Sequence, residues 1–299
     1  ADALELIEPS QERLEAARAL YNRAAARVPV GWPAQSEEFA RWVTLRRERL
    51  SYERTRYLVA EGQLRGIIHW GIGGPEARPA DWYTVDQGDG VISALFVEPG
   101  DRDAAEAMTR AAVEDLRSRG CPRIWAWEDE MGPPFYAGGF GQLLLSMTEV
   151  VQALTTARFR VCPVELHLCL STLPARSGKP PVRGLEVRNR VMPGGETSVD
   201  VWDAQGATVG QCVWASMALK SEHPDASQAG YVWWLGIEEA YRGMGAGRWL
   251  MELAMGQMAR SGHTRCYLTT RADNLRAQSL YYSLGFGMLG ASAMLCLES

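Results

Sequence analysis

The chain has 299 residues, 46% of them apolar and 22% charged, a globular balance that excludes disorder as its main state. Its 31 basic and 36 acidic side chains give a formal charge of −5, which argues against nucleic acid as the main partner, because phosphate binding wants a basic face. No apolar run approaches the ~20 residues that cross a bilayer, and residues 1–9 lack the basic start of a signal peptide, so a cytoplasmic protein with no membrane partner is expected.

Residues 4–7 read as a short strand. Ser10 is the expected cap of a helix that runs to about Arg27, with Leu14, Ala17 and Tyr21 on one face. Pro29, Gly31 and Pro33 break it. Ser36, followed by Glu37 and Glu38, starts a second helix that continues through Phe39, Trp42 and Val43 to about Leu50. Strands are expected at 56–61 and 66–71, joined around Gly62 and Gln63, and at 91–97. A helix at 102–119 is stopped by Gly120, and 124–127 is again a strand. The Pro-, Gly- and Arg/Lys-containing stretch 174–181 marks a linker at 173–184. The same order then returns. A strand at 185–190 precedes a hairpin of 197–203 and 209–217, followed by an apolar strand at 231–237. A helix at 247–260, with Leu250, Ala254 and Met258 at helical spacing, is stopped by Gly262. A strand at 265–270 and a short helix at 277–284, ended by Gly285, complete the series.

Strand, glycine-stopped helix, strand, short helix and Gly-Phe therefore occur twice. Val97 matches Ile237, Gly120 matches Gly262 and Phe140 matches Phe286, which predicts an internal duplication with domains at 1–172 and 185–299. The six cysteines, Cys121, Cys162, Cys169, Cys212, Cys266 and Cys296, form no C-x-x-C pair, and the four histidines are scattered. Buried thiols in a reducing compartment and no metal are expected.

The informative segment runs from Leu235 through Gly236, Ile237 and a short turn to Arg242, Gly243, Met244, Gly245, Ala246, Gly247 and Arg248. A strand ends at Ile237, and a loop of alternating glycines leads into a helix. Such a loop lets backbone N–H groups crowd around an anion. The helix N-terminus adds partial positive charge, and Arg242 and Arg248 add full charges, so the segment has the makings of a pyrophosphate cradle. A Walker loop is excluded by the missing Gly-Lys-Ser/Thr, and the G-x-G-x-G spacing fits a dinucleotide fingerprint poorly. A glycine-rich helix cap without a ligand is the structural alternative. Downstream follows Asn274-x-x-Ala277-x-x-Leu280-Tyr281-x-x-x-Gly285-Phe286.

These two motifs, in this order, resemble the GCN5-related N-acetyltransferase (GNAT) superfamily. The resemblance covers 185–299. The first half is similar through element order alone, the layout of tandem two-copy members. It implies an α/β fold class: two tandem GNAT-like acyl-CoA N-acyltransferase domains, mixed and mostly antiparallel sheets flanked by helices. It further implies acetyl-CoA as co-substrate and direct attack on it by a primary amine, in a monomer or homodimer. The acceptor is expected to be a small molecule, not named by the sequence. By the resemblance, Leu235, Gly236 and Ile237 lie along the pantetheine arm, on a strand that splays from its neighbour. Residues 242–247 with Arg248 hold the pyrophosphate, and Asn274 contacts the CoA arm. Tyr281 protonates the departing thiolate, a general-acid role, with a core aromatic or Tyr282 as alternatives.

The strand residues Tyr231-Val232-Trp233-Trp234 contain no acid. Glu222, His223 and Asp225 in the preceding loop are the candidate bases, with a solvated loop or a Tyr231–water relay as alternatives. In the first copy, Glu98-Pro99-Gly100-Asp101-Arg102-Asp103 replaces the cradle and Phe135 stands where Tyr281 does, so that copy is expected to be inactive. The second copy has only residues 191–196 where relatives place two helices. The first copy keeps those helices, and it either shapes the acceptor site or only packs. Trp214, Trp233 and Trp234 read as core or as acceptor wall. A non-catalytic acyl-CoA sensor and a longer-chain acyltransferase stay open as alternatives.

Overall fold

The computed structural model describes residues 4–75, 85–128, 131–174 and 178–298, so the centre of the expected linker, 175–177, lies outside the described residues. Two compact units are present: Ala1–Val164 with Gly290–Ser299, and Glu165–Leu289. The first division thus falls ahead of the expected linker, and the last residues of the chain count with the first unit.

The first unit opens with strand β1 (Glu5–Ile7) and helix α1 (Leu14–Ala25), whose Leu14, Ala17, Leu20, Tyr21 and Ala24 are buried at helical spacing. Ser10 makes no capping bond, and a 3-10 turn, Gln11–Arg13, leads in instead. Helix α2 (Ser36–Thr44) starts on a capping box in which Glu38 accepts the Gln35 N–H at 2.8 Å. It stops at Thr44, short of the expected Leu50. The Thr44 hydroxyl turns back onto the Ala40 carbonyl at 2.9 Å, and the Arg47 N–H goes to the Glu53 carboxylate at 3.0 Å instead of to a helical carbonyl. Leu50 then opens strand β2 (Leu50–Ala60). Glu61 and Gly62, at φ 49° and 75°, turn it into β3 (Gln63–Gly73). Next come β4 (Gly90–Val97), α3 (Arg102–Ser118), β5 (Arg123–Ala126), the two-residue β6 (Leu143–Leu144) and α4 (Thr148–Thr156). Strand β7 (Arg160–Leu170) carries the chain over the division. Strands β1 to β5 pair in chain order, antiparallel except for β4 with β5.

The second unit contains β8 (Glu186–Val191), β9 (Thr197–Trp202), β10 (Thr208–Ser216), β11 (Ala229–Ile237), α5 (Ala246–Arg260), β12 (Arg265–Arg271) and α6 (Leu275–Ser283), followed by β13 (Gly287–Glu298). Its strand order is β8-β9-β10-β11-β12 with Glu165–Leu170 of β7 beyond β12. Only β11 and β12 run parallel in it. Leu250, Met251, Ala254 and Met258 of α5 pack against Val199, Val201, Cys212 and Leu268, so one face of this sheet is the core. Residues 295–298 of β13 pair antiparallel with β5, inside the first unit.

The repeated order of elements is present, but one expected match is corrected. Helix α6 closes through Leu284 N–H to Leu280 O, Gly285 N–H to Tyr282 O and Phe286 N–H to Tyr281 O. Helix α4 closes identically through Ala157 to Ala153, Arg158 to Thr155 and Phe159 to Leu154. Phe159, not Phe140, is therefore the counterpart of Phe286, and Leu154, not Phe135, that of Tyr281. Arg158 holds the left-handed turn at φ 68° that Gly285 holds at 93°. Phe140 follows a separate 3-10 turn, Ala137–Gly139, in the longer connection between β5 and α4.

Candidate active site

The site begins where two strands part. Strand β11 pairs with β10 from Gly230 to Ile237. With β12 it pairs only from Ala229 to Val232, opposite Arg265 to Leu268, while β12 continues beside β7 to Arg271. Residues 233–237 thus have no ladder on the β12 side. A bulge sits at the parting: Val232 faces Trp214 and Trp234 faces Val213, leaving Trp233 as the extra residue. The Tyr231 and Trp233 rings stack at 4.7 Å, and Trp234 is 59% exposed. Leu235 and Ile237 turn into the core beside α5. A Cβ on Gly236 would stand 2.9 Å from the Trp234 Nε1, so the glycine makes room for that indole.

The loop after β11 meets α5 end-on. Gly243 and Gly245 lie at φ 82° and 88°, and Gly245 is the left-handed residue immediately before the helix. The first intrahelical bond runs from Trp249 N–H to Gly245 O at 3.1 Å. The N–H groups of Ala246, Gly247 and Arg248 therefore have no intrahelical acceptor. Arg242 Nε donates to the Ile237 carbonyl at 3.0 Å, which ties the loop to the strand end. Arg248 Nη2 donates to Ser283 Oγ at 2.6 Å and to its carbonyl at 3.2 Å, tying the start of α5 to the end of α6.

A cleft of about 1400 Å³ gathers these pieces. Leu235, Gly236, Ile237, Arg242, Gly243, Gly245, Gly247, Arg248, Asn274 and Tyr281 all line it. Met244, exposed at the loop tip, and Ala246, buried beneath it, do not. The cationic side chains and open N–H groups at the loop end suit a pyrophosphate. Among the described residues, no three His, Cys, Asp or Glu gather as a metal site.

Tyr281 is buried on α6, its ring 5.9 Å from that of Phe286. Burial, with a smaller contribution from the Cys212 and Cys266 thiols, pushes its pKa up to about 12. At neutral pH it is a phenol with a proton to give. Tyr282 faces away and is exposed. Asn274 Oδ1 accepts the Ala277 N–H at 3.2 Å, so it caps α6 while it lines the cleft.

The candidate bases lie elsewhere. Neither Glu222 nor His223 lines the cleft. His223 Nδ1 accepts the Asp225 N–H at 3.2 Å and caps the 3-10 turn Pro224–Gln228, so its ring is committed to that turn. Trp214 is core: its Nε1 donates to Gln257 at 3.2 Å and its ring stands edge-on to His263. Sequence reasoning missed the far wall of the cleft, formed by Arg188, Arg190, Asp200, Trp202 and Gln211. Its signal was the alternation Ser198, Asp200, Trp202 opposite the buried Val199 and Val201.

In the first unit the corresponding parting is filled. The β4–β5 ladder ends at Ile92 and Ala126. Trp127 and Tyr136, both fully buried, meet the Phe96 ring of β4 edge-on at 5.2 and 5.6 Å. Where the second unit has glycines, Asp101 caps α3 by accepting the Ala104 N–H at 3.2 Å and pairs with Arg65 at 2.6 Å.

Residues 194–286 match the model of the acetyltransferase (GNAT) family. A mycothiol acetyltransferase of Jonesia denitrificans is 44% identical over 68 residues, a stretch that covers 23% of this chain and 21% of that protein. The match thus spans about a fifth of that curated relative. A tandem GNAT protein from the clavulanic acid biosynthesis pathway superposes with a TM-score of 0.69 at 14% identity, covering 99% of this chain and 98% of the other. A GCN5-related N-acetyltransferase from Sphaerobacter thermophilus gives 0.66 at 14% identity, covering 99% and 95%. At such identity these two structures establish the fold: a tandem GNAT architecture along the whole chain.

Proposed function

From the match of residues 194–286 to the acetyltransferase (GNAT) family model, we propose that the second unit transfers an acetyl group from acetyl-CoA to a primary amine. The observation that carries this reading is the parting of β11 from β12 at Val232, with the open N-terminus of α5 at one end and Tyr281 on its wall. The pantetheine arm runs in the gap, taking backbone groups of Leu235 to Ile237 that no strand takes. The pyrophosphate rests on the N–H groups from Gly243 to Arg248, with the Arg242 guanidinium beside it.

The reaction proceeds by direct attack. The amine nitrogen, as free base, bonds to the thioester carbonyl carbon, and the carbonyl electron pair moves to oxygen. Collapse of that intermediate breaks the C–S bond, and the thiolate takes the Tyr281 hydroxyl proton. Water in the open cleft takes the proton lost by the nitrogen and returns one to the Tyr281 phenolate, since Glu222 and His223 stand outside it. Burial disfavours the Tyr281 phenolate, so the group starts protonated and gives up its proton only to the full charge of the departing thiolate. The filled and acid-capped first unit takes no part in CoA binding in this account.

CoA-thiol release, measured with acetyl-CoA and a panel of primary amines, tests the proposal. At least one amine is expected to accelerate release, and Tyr281→Phe is expected to slow that turnover ~10²-fold or more with acetyl-CoA affinity kept. No stimulation by any amine, together with an undiminished rate in Tyr281→Phe, would overturn it.

A further inference from the structure

Beyond the bulge, the cleft wall is built in register toward the sheet edge. Gly236 faces Gln211, Gln211 faces Asp200, and Asp200 faces Arg188. Alongside, Trp234 faces Val213, Val213 faces Ser198, and Ser198 faces Arg190. Two rows therefore lead from the reacting end of β11 to the edge strand β8. The loop from β8 to β9 contains no helix, and the Arg188 and Arg190 side chains are 64% and 61% exposed on this face.

Within the rows, Asp200 is 8% exposed and accepts from Ser198 Oγ at 2.8 Å, Gln211 Nε2 at 2.9 Å and Arg190 Nε at 2.9 Å. Burial alone would raise its pKa, but these bonds outweigh burial and hold the carboxyl below its usual range. It is an anion already satisfied by the protein, and its effect is to fix the Arg190 guanidinium over β9. The Arg188 guanidinium lies over the Trp202 ring, 5.5 Å from its centre, also above β9. Trp202 Nε1 is buried and has no hydrogen-bond partner. Glu186 pairs with Arg188 at 3.2 Å but is exposed and off the lining, where such a pair contributes little.

What the exposed Arg188 and Arg190 offer a ligand is therefore all donor and no acceptor. We propose that the β8–β9 end of the cleft is a subsite for an anionic oxygen group, carboxylate or phosphate, carried by the acceptor amine. Its distance sets the acceptor's length. Strand β9 lies two strand spacings from β11, so the anion sits ~10 Å from the amine that attacks at the bulge. The inference rests on the acetyl-transfer reading for which end of the acceptor reacts.

Calorimetric titration of the full chain with ω-amino-octanoate and with octylamine, each with and without saturating CoA, tests this. The amino acid is expected to bind at least ~10-fold more tightly than the plain amine, as charge-assisted bonds to two guanidinium groups require. The double variant Arg188→Gln, Arg190→Gln, its folding checked by its melting temperature, is expected to bind the two alike. Phosphate-terminated amines of the same length separate the two anion types. Equal binding by the native chain, a preference that survives the double substitution, or no binding of ω-amino-octanoate at millimolar concentration would overturn the proposal. Failure of CoA to bind, with the amino-acid preference intact, would count against acetyl transfer and not against this subsite.

Discussion

Tyr281 and Leu154 close the same backbone turn, one in each unit, and only the first carries a phenol in place of an aliphatic chain. The ring at 281 is held by Phe286 and by burial, so its removal as an acid costs little packing: Tyr281→Phe isolates the proton. The expected signature is a fall in kcat with acetyl-CoA affinity kept, as for a group used only while the thiolate departs. A second residue gives a stability test. Glu165 on β7 faces Arg271 across the ladder, and burial pushes its pKa up to about 7, Arg271 opposing and Asp273 adding to the rise. A carboxyl raised on folding leaves the native state holding more protons than the unfolded one between the ordinary carboxylate range and about 7. Its ionisation therefore costs stability progressively as pH rises through that window. Glu165→Gln removes the cost. The melting temperature of the variant relative to the native chain is expected to rise between about pH 5 and about pH 8. Curves that stay parallel would contradict that environment.

At the scale of elements, the last strand carries the clearest consequence. Leu295 pairs with Ala126 of β5 and is fully buried in the core of the first unit. Leu295→Ala is expected to cost ~2–5 kcal/mol in denaturant unfolding, the usual range for emptying a buried leucine site. A cost below ~1 kcal/mol would mean that β13 does not belong to that core. This strand was also the least legible. The elements expected from sequence end at Gly285 and none covers it, and its partner lies far away in the chain, where no local signal names it. The β11–loop–α5 segment was legible for the opposite reason. Positive φ at Gly243 and Gly245 demands glycine, so backbone geometry is written into residue type. The same rule misled at Phe140, where a Gly-Phe pair sits in a loop while the true turn uses Arg158. Tertiary packing held that arginine in a conformation that composition argues against. His223, a candidate base by sequence, has a ring nitrogen that the structure uses as a cap.

Across the whole chain, one architecture is used twice with opposite contents. In the second unit the parting strands enclose an open cleft that ends on glycines, arginines and unmet N–H groups. In the first, aromatic rings fill the parting and a carboxylate caps the helix that would face a pyrophosphate. Two negative groups a few Å apart repel, so no CoA is expected at that end. The central claim is that acetyl-CoA binds in the second unit alone. Titration of the full chain with acetyl-CoA, native and Gly245→Asp, is its most direct test. The account predicts one molecule bound per chain, and a loss of at least ~10-fold in affinity when a carboxylate is placed at the cradle, beyond the drop in melting temperature that an L side chain at φ 88° brings by itself and that Gly245→Ala measures. Two molecules per chain, or undiminished binding by Gly245→Asp, would contradict it.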